Sequence, residues 1–82
     1  MSTIFCNFVY TIFVNLKIFA ERLKELRIER KLNLKQLGDV VGVSHVAVMG
    51  WESGNIIPLA DKVSKLAKFF RVSSDYLMGN ED

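Results

Sequence analysis

Only Gly42 and Val43 separate two short runs of helical periodicity, "NLKQLGDVV" and "SHVAVMGWE", and this spacing constrains the chain more than any other feature of it. The first run opens on Asn33 with Gln36 three residues later, a pattern in which each side chain bonds the other residue's backbone N–H. It closes on Gly42, suited to the left-handed position that follows a helix. Ser44 can cap the second run at once, its hydroxyl accepting from a backbone N–H two or three residues on. Two such short helices with so little chain between them must turn sharply and share a core. Leu37, Val40 and Val41 give the apolar face of the first, and Ala47, Val48 and Trp51 that of the second. His45, Val46, Met49 and Gly50 are then left outside, a face that needs something to meet.

The flanking sequence supplies three more helices. From Asn15, a potential cap, to about Lys31, the spacing of Phe19, Leu23 and Leu26 predicts a helix with one buried stripe, and Arg27 at its edge calls for a carboxylate partner. After Ser53 and Gly54, "NIIP" turns the chain into a helix beginning near Pro58, with Leu59, Val63, Leu66 and Phe70 as its inner stripe. "SSDYLMG" reads as a final short helix capped by Ser73 or Ser74, with Tyr76 and Leu77 packed inward. The expected fold class is all-α: a five-helix domain over residues 17–79, an apolar extension at 1–16 and an acidic tail at 80–82.

A chain of 82 residues forms one domain at most and buries only about 60% of its unfolded surface. Its net charge of +2 conceals an uneven distribution. All the Lys and Arg residues lie between Lys17 and Arg71, where the acids are only Glu21, Glu25, Glu29, Asp39, Glu52 and Asp61, so the body of the chain is distinctly basic and suits a polyanionic partner. Cys6 is the only cysteine and His45 the only histidine, so neither a disulfide within the chain nor a Cys/His zinc cluster can be assembled, and a reducing, cytoplasmic setting fits. A nucleophile needs a base and a group to orient it, and the neighbours of His45 do not face it along a helix. With the glycines scattered, no phosphate-binding loop is present. No catalytic residue, metal or cofactor is expected.

"MSTIFCNFVYTIFVNL" is uncharged and rich in Phe, Val, Ile, Tyr and Thr. It falls short of the roughly 20 residues that span a bilayer and lacks the basic start and cleavage site of a secretion signal. Three readings stand: a strand that pairs with another copy, a tail that touches a membrane, or translated sequence upstream of the natural start. Composition favours a strand, and Asn7, Thr11 and Asn15 interrupt any membrane face, so the first and third are preferred.

"RLKELRIERKLNLKQLGDVVGVS", "HVAVMGWESGNIIP" and "SSDYLMG", in that order and spacing, resemble the first two helices, the recognition helix with its following turn, and the fifth helix of the lambda-repressor-like (Cro and phage repressor) helix-turn-helix family. The likeness covers about Phe19 to Met78. It implies a DNA-binding transcriptional regulator, a repressor, dimeric on a pseudo-palindromic operator in double-stranded DNA, with half-sites about one helical turn apart. His45 and Val46 fall where the family touches bases, and Met49 and Gly50 further along that face; Val46 would meet thymine methyls, and His45 a purine edge or a phosphate. Phosphate contacts are implied at Leu34 and Lys35, at Ser44, and through backbone N–H groups of Ser53, Gly54 and Asn55, with Lys31 and Lys35 as the cations. Arg27 and Glu52 match an ion pair that ties the first helix to the recognition helix. The chain departs from the family at Gly50 and Leu34, where the family often has Gln. These departures and the apolar front segment support a rival reading, a protein-interaction module of antitoxin-like or membrane-tethered type that has lost base readout.

Overall fold

The computed structural model describes the backbone of residues 2–80 and the side chains of residues 16–80. Among the described residues five helices follow one another: α1 (Ser2–Glu29), α2 (Leu34–Val41), α3 (His45–Ser53), α4 (Ala60–Phe70) and α5 (Ser74–Met78). Among the described residues there is no strand. The acidic tail expected at 80–82 lies outside the described residues except for Asn80.

The largest correction concerns the front segment. Its backbone is helical from Ser2, so α1 neither begins at an Asn15 cap nor is preceded by a strand. Residues 2–29 contain no Gly or Pro to stop a helix, and extending a formed helix by one residue adds a hydrogen bond without repeating the unfavourable nucleation step. A strand there would need a second strand to pair with. No helix among the described residues is long and apolar enough to cross a membrane.

Helices α2, α3 and α5 start where their sequences provide side-chain caps, whereas α4 starts at Ala60 after Leu59, which makes no side-chain cap bond. Asn33 Oδ1 accepts from Gln36 N at 2.7 Å, and Asn33 N donates to Gln36 Oε1 at 2.8 Å, closing the reciprocal cap of α2. Ser44 Oγ accepts from Ala47 N at the start of α3, and Ser73 Oγ from Tyr76 N at the start of α5. Gly42, with φ 78°, ends α2 in the left-handed region. Asn33→Ala removes an N-cap, and the expected cost is about 1 kcal/mol of stability, measurable as a shift in the urea midpoint. A variant with unchanged midpoint would show that the reciprocal bonds contribute nothing.

The core joins Phe19 and Leu23 of α1, Leu37 and Val41 of α2, Val48 and Trp51 of α3, Val63, Leu66, Ala67 and Phe70 of α4, and Leu77 of α5. Each large side chain fully removed from water stabilises the fold by about 1.5–3 kcal/mol. Several expected core positions lie elsewhere, Ala47 among them, which is half-buried and outside the core cluster. Val40 is 41% exposed because its neighbour Val41 takes the core-facing place. Leu59 is 68% exposed because α4 begins at Ala60, so Leu59 is the residue before the helix and the helical spacing does not set its direction. Leu26 is half-buried at the edge of the core rather than within it.

Polar contacts fix the helices around this core. Lys62 Nζ donates to the Val41 carbonyl at 3.3 Å, tying α4 to the end of α2. Arg22 donates to the Tyr76 carbonyl and lies 4.2 Å over that ring, joining α1 to α5. Tyr76 is therefore half-buried, where full inward packing was expected. Arg30 lies 5.2 Å over the Phe69 ring and 5.5 Å over the Phe70 ring at the end of α4.

Candidate nucleic-acid interface

The sharp turn between α2 and α3 depends on a residue that periodicity does not single out. Gly38 is buried in α2, and its carbonyl accepts from Val43 N at 2.9 Å as the chain reverses through Gly42. A Cβ at Gly38 would stand 2.5 Å from the Val43 carbonyl oxygen and 3.3 Å from the Ser44 carbonyl carbon. Hydrogen in place of a side chain lets the turn lie directly on α2, and α3 leaves the turn with its outer face open.

The angle of α3 is held from α1. Arg27 Nε donates to Glu52 Oε2 at 2.6 Å and its Nη2 to Glu52 Oε1 at 3.0 Å, a two-pronged pair, while Nη1 donates to the Leu32 carbonyl at 2.9 Å. The side chains of Arg27 and Glu52 are only 14% and 8% exposed. The hydrogen bond to Glu52 pushes the guanidinium pKa above its ordinary value, with the coulombic attraction adding to it and burial opposing both. The carboxylate that Arg27 requires thus comes from the last turn of the outward-facing helix.

Two shallow depressions flank α3 on this side. One is lined by Arg27, Asn33, Leu34, Lys35 and His45, the other by Lys24, Arg27, Leu34, Met49, Glu52 and Ser53. The surface therefore brings Leu34, Lys35, His45, Met49 and Ser53 together. His45 is exposed, Val46 is 56% exposed and Met49 48%. Ser44 is exposed and its oxygen accepts from Ala47 N, a bond that does not use its O–H donor. Lys31 is exposed at the end of α1, in the left-handed region with φ 57°. Lys24 joins this surface without having been anticipated. The signal was present in Lys17 and Lys24, seven apart and so on one face of α1, while Lys31 lies beyond its last residue.

Two expectations change. Gly50 does not lie fully outside: it is half-buried, with the Ile56 side chain where its own would be. Nor are the turn N–H groups open for phosphate. Gly54 N donates to the Trp51 and Gly50 carbonyls, and Asn55 N donates to the Gly50 carbonyl at 2.9 Å. Ser53 belongs to the last turn of α3, and its hydroxyl also donates to the Gly50 carbonyl, at 3.1 Å. The turn closes the end of α3 with the very donors it was expected to offer. Glu52, Ser53, Gly54 and Asn55 border a separate groove of about 450 Å³, walled on the other side by Leu16, Lys17, Ala20 and Glu21.

A pair of short helices joined at Gly42, the second braced by a buried ion pair and open on its outer face, defines a helix-turn-helix architecture. Residues 23–77 match the sequence profile described as helix-turn-helix, and the chain belongs to that family. Its relatives include the HTH-type transcriptional regulator YobD of Bacillus subtilis, 34% identical over 65 residues, which are 79% of this chain and 58% of that protein. The repressor protein C2 of Salmonella phage P22 is also 34% identical over 65 residues, covering 79% of this chain and 30% of C2. The chain thus matches less than two thirds of the length of either relative. The crystal structure of the P22 c2 repressor in complex with a synthetic operator superposes with a TM-score of 0.74 at 33% identity, over 78% of this chain and 97% of that one.

Proposed function

We propose that this chain is a sequence-specific regulator of transcription that binds double-stranded DNA as a homodimer in the cytoplasm and represses by occupying its operator. The observation that carries this reading is the open face of α3, where His45 stands beside Lys35, Met49 borders the Lys24 depression and Val46 is exposed. The family membership and the operator complex of the P22 repressor support it. In this reading α3 enters the major groove with His45, Val46 and Met49 toward base edges. The Leu34 and Lys35 N–H groups, which the Asn33 cap leaves unbonded within α2, meet a phosphate together with the Lys24, Lys31 and Lys35 ammonium groups. The exposed Asn55 side chain replaces the turn's backbone groups as a phosphate partner. No step of catalysis enters.

The test is selection from a random duplex library at near-physiological salt, followed by measurement of affinity against salt on the selected site. The expected result is a two-fold symmetric motif with half-sites about 34 Å apart. Lys35→Ala is expected to make the plot of log affinity against log salt shallower by about one unit for each subunit bound. If no sequence is enriched, the chain does not read DNA, and the open face belongs to a protein partner.

A further inference from the structure

The recognition helix lacks a side chain at Gly50, four residues after Val46 and next to Met49, in the middle of the face that would meet bases. That place is filled. An ideal Cβ at Gly50 would lie 2.2 Å from Ile56 Cδ1, 2.6 Å from Cγ1 and 3.1 Å from Cβ, so the Ile56 side chain occupies the volume that residue 50 leaves vacant. Its position is built by the turn: Gly54 reverses the chain in the left-handed region, and Asn55 N and Ile56 N both donate to the Gly50 carbonyl, at 2.9 and 3.1 Å. Ile56 is nonetheless 42% exposed. It therefore continues, at the protein surface, the apolar strip begun by Val46 and Met49.

We propose that Ile56, a residue of the turn and not of α3, supplies the base-reading side chain that Gly50 lacks and recognises the C5-methyl group of a thymine in each half-site. The inference rests on the reading of α3 as the base-contacting helix. None of Val46, Met49, Gly50 and Ile56 carries a side chain that hydrogen-bonds strongly to a base edge. The feature of the major groove that the sec-butyl side chain of Ile56 can distinguish is the thymine methyl. Gly50 follows Val46 by four residues, about 6 Å along the α3 axis, so a side chain seated at Gly50 reaches a base pair distinct from the one at Val46.

The experiment uses the full chain and the operator selected above, with each thymine of the half-site replaced in turn by uracil, which lacks only the methyl. At one position beyond that read by Val46, the wild-type protein is expected to bind the uracil duplex about fourfold more weakly per half-site, the equivalent of one buried methyl. Ile56→Ala should bind the thymine operator correspondingly more weakly and show no further loss with uracil at that position, while keeping the methyl dependence at the Val46 position. Gly50→Ala, whose methyl must displace Ile56, should abolish the same dependence and guards against misfolding of the first variant. The proposal is overturned if both variants keep the wild-type thymine-to-uracil ratio at every position. In that case the operator motif still stands and α3 still reads DNA. Failure to select any motif removes both readings.

Discussion

Glu52→Ala is expected to lower the melting temperature by roughly 12–24 °C. The substitution leaves the Arg27 guanidinium, 14% exposed, without the carboxylate that holds two of its nitrogens, and its remaining bond is to the Leu32 carbonyl. Removing one partner of a buried pair costs about 3–5 kcal/mol. The residual exposure of both side chains favours the lower end, and in a domain this size each kcal/mol moves the midpoint by about 4–8 °C. Thermal unfolding followed by circular dichroism checks it. The double variant Arg27→Met with Glu52→Leu should recover most of the loss, because it removes both charges at once. If Glu52→Ala melted at the wild-type temperature, the pair would contribute nothing to holding α3 against α1.

Gly38→Ala should damage DNA binding more than stability. Its Cβ would press on the Val43 carbonyl oxygen and on the Ser44 backbone, none of which is a flexible side-chain end that could rotate away. The turn must move, at a cost of about 1–3 kcal/mol for overpacking, partly offset by the advantage of about 1 kcal/mol that Ala holds over Gly within a helix. The net change in stability is therefore small. Moving the turn displaces Ser44 and the start of α3, and with it the relation of His45 and Val46 to Leu34 and Lys35. Operator affinity measured well below the melting temperature of both proteins should fall at least tenfold, about 1.4 kcal/mol. Wild-type affinity in Gly38→Ala would show that the α2–α3 geometry tolerates the shift.

What the sequence made legible was local. Asn33 and Gln36, Ser44, Gly42 and Ser73 announce helix ends because their bonds span three to five residues, and the chain itself brings the partners together. The need of Arg27 for a carboxylate could be read from its place at the stripe's edge, whereas its pairing with Glu52 came from the family resemblance. Apolar periodicity was less reliable at its margins. Val40 and Leu59 satisfy the spacing yet are exposed, since spacing fixes a direction only within a formed helix and cannot tell which of two adjacent apolar residues the core accepts. In the front segment, composition pointed to a strand, but the continuity of the helix behind it prevailed. Gly38 and Ile56 were missed for a different reason. Their roles are close approaches across a turn, backbone on backbone at Gly38 and side chain on backbone at Ile56, visible only once the turn has a shape.

The way this fold closes its helices bears on the order in which it forms. The reversals after α2, α3, α4 and α5 are secured by bonds between residues at most six apart, and α2, α3 and α5 also carry their own side-chain caps. The α2–α3 pair can therefore assemble from contacts that require little loop closure. Arg22 and Tyr76, by contrast, meet across 54 residues. Loop entropy assigns such a contact to the end of the reaction. Folding should start at the pair that carries the proposed DNA-facing surface and finish when α5 is drawn onto α1, so that this surface is organised before the domain is sealed.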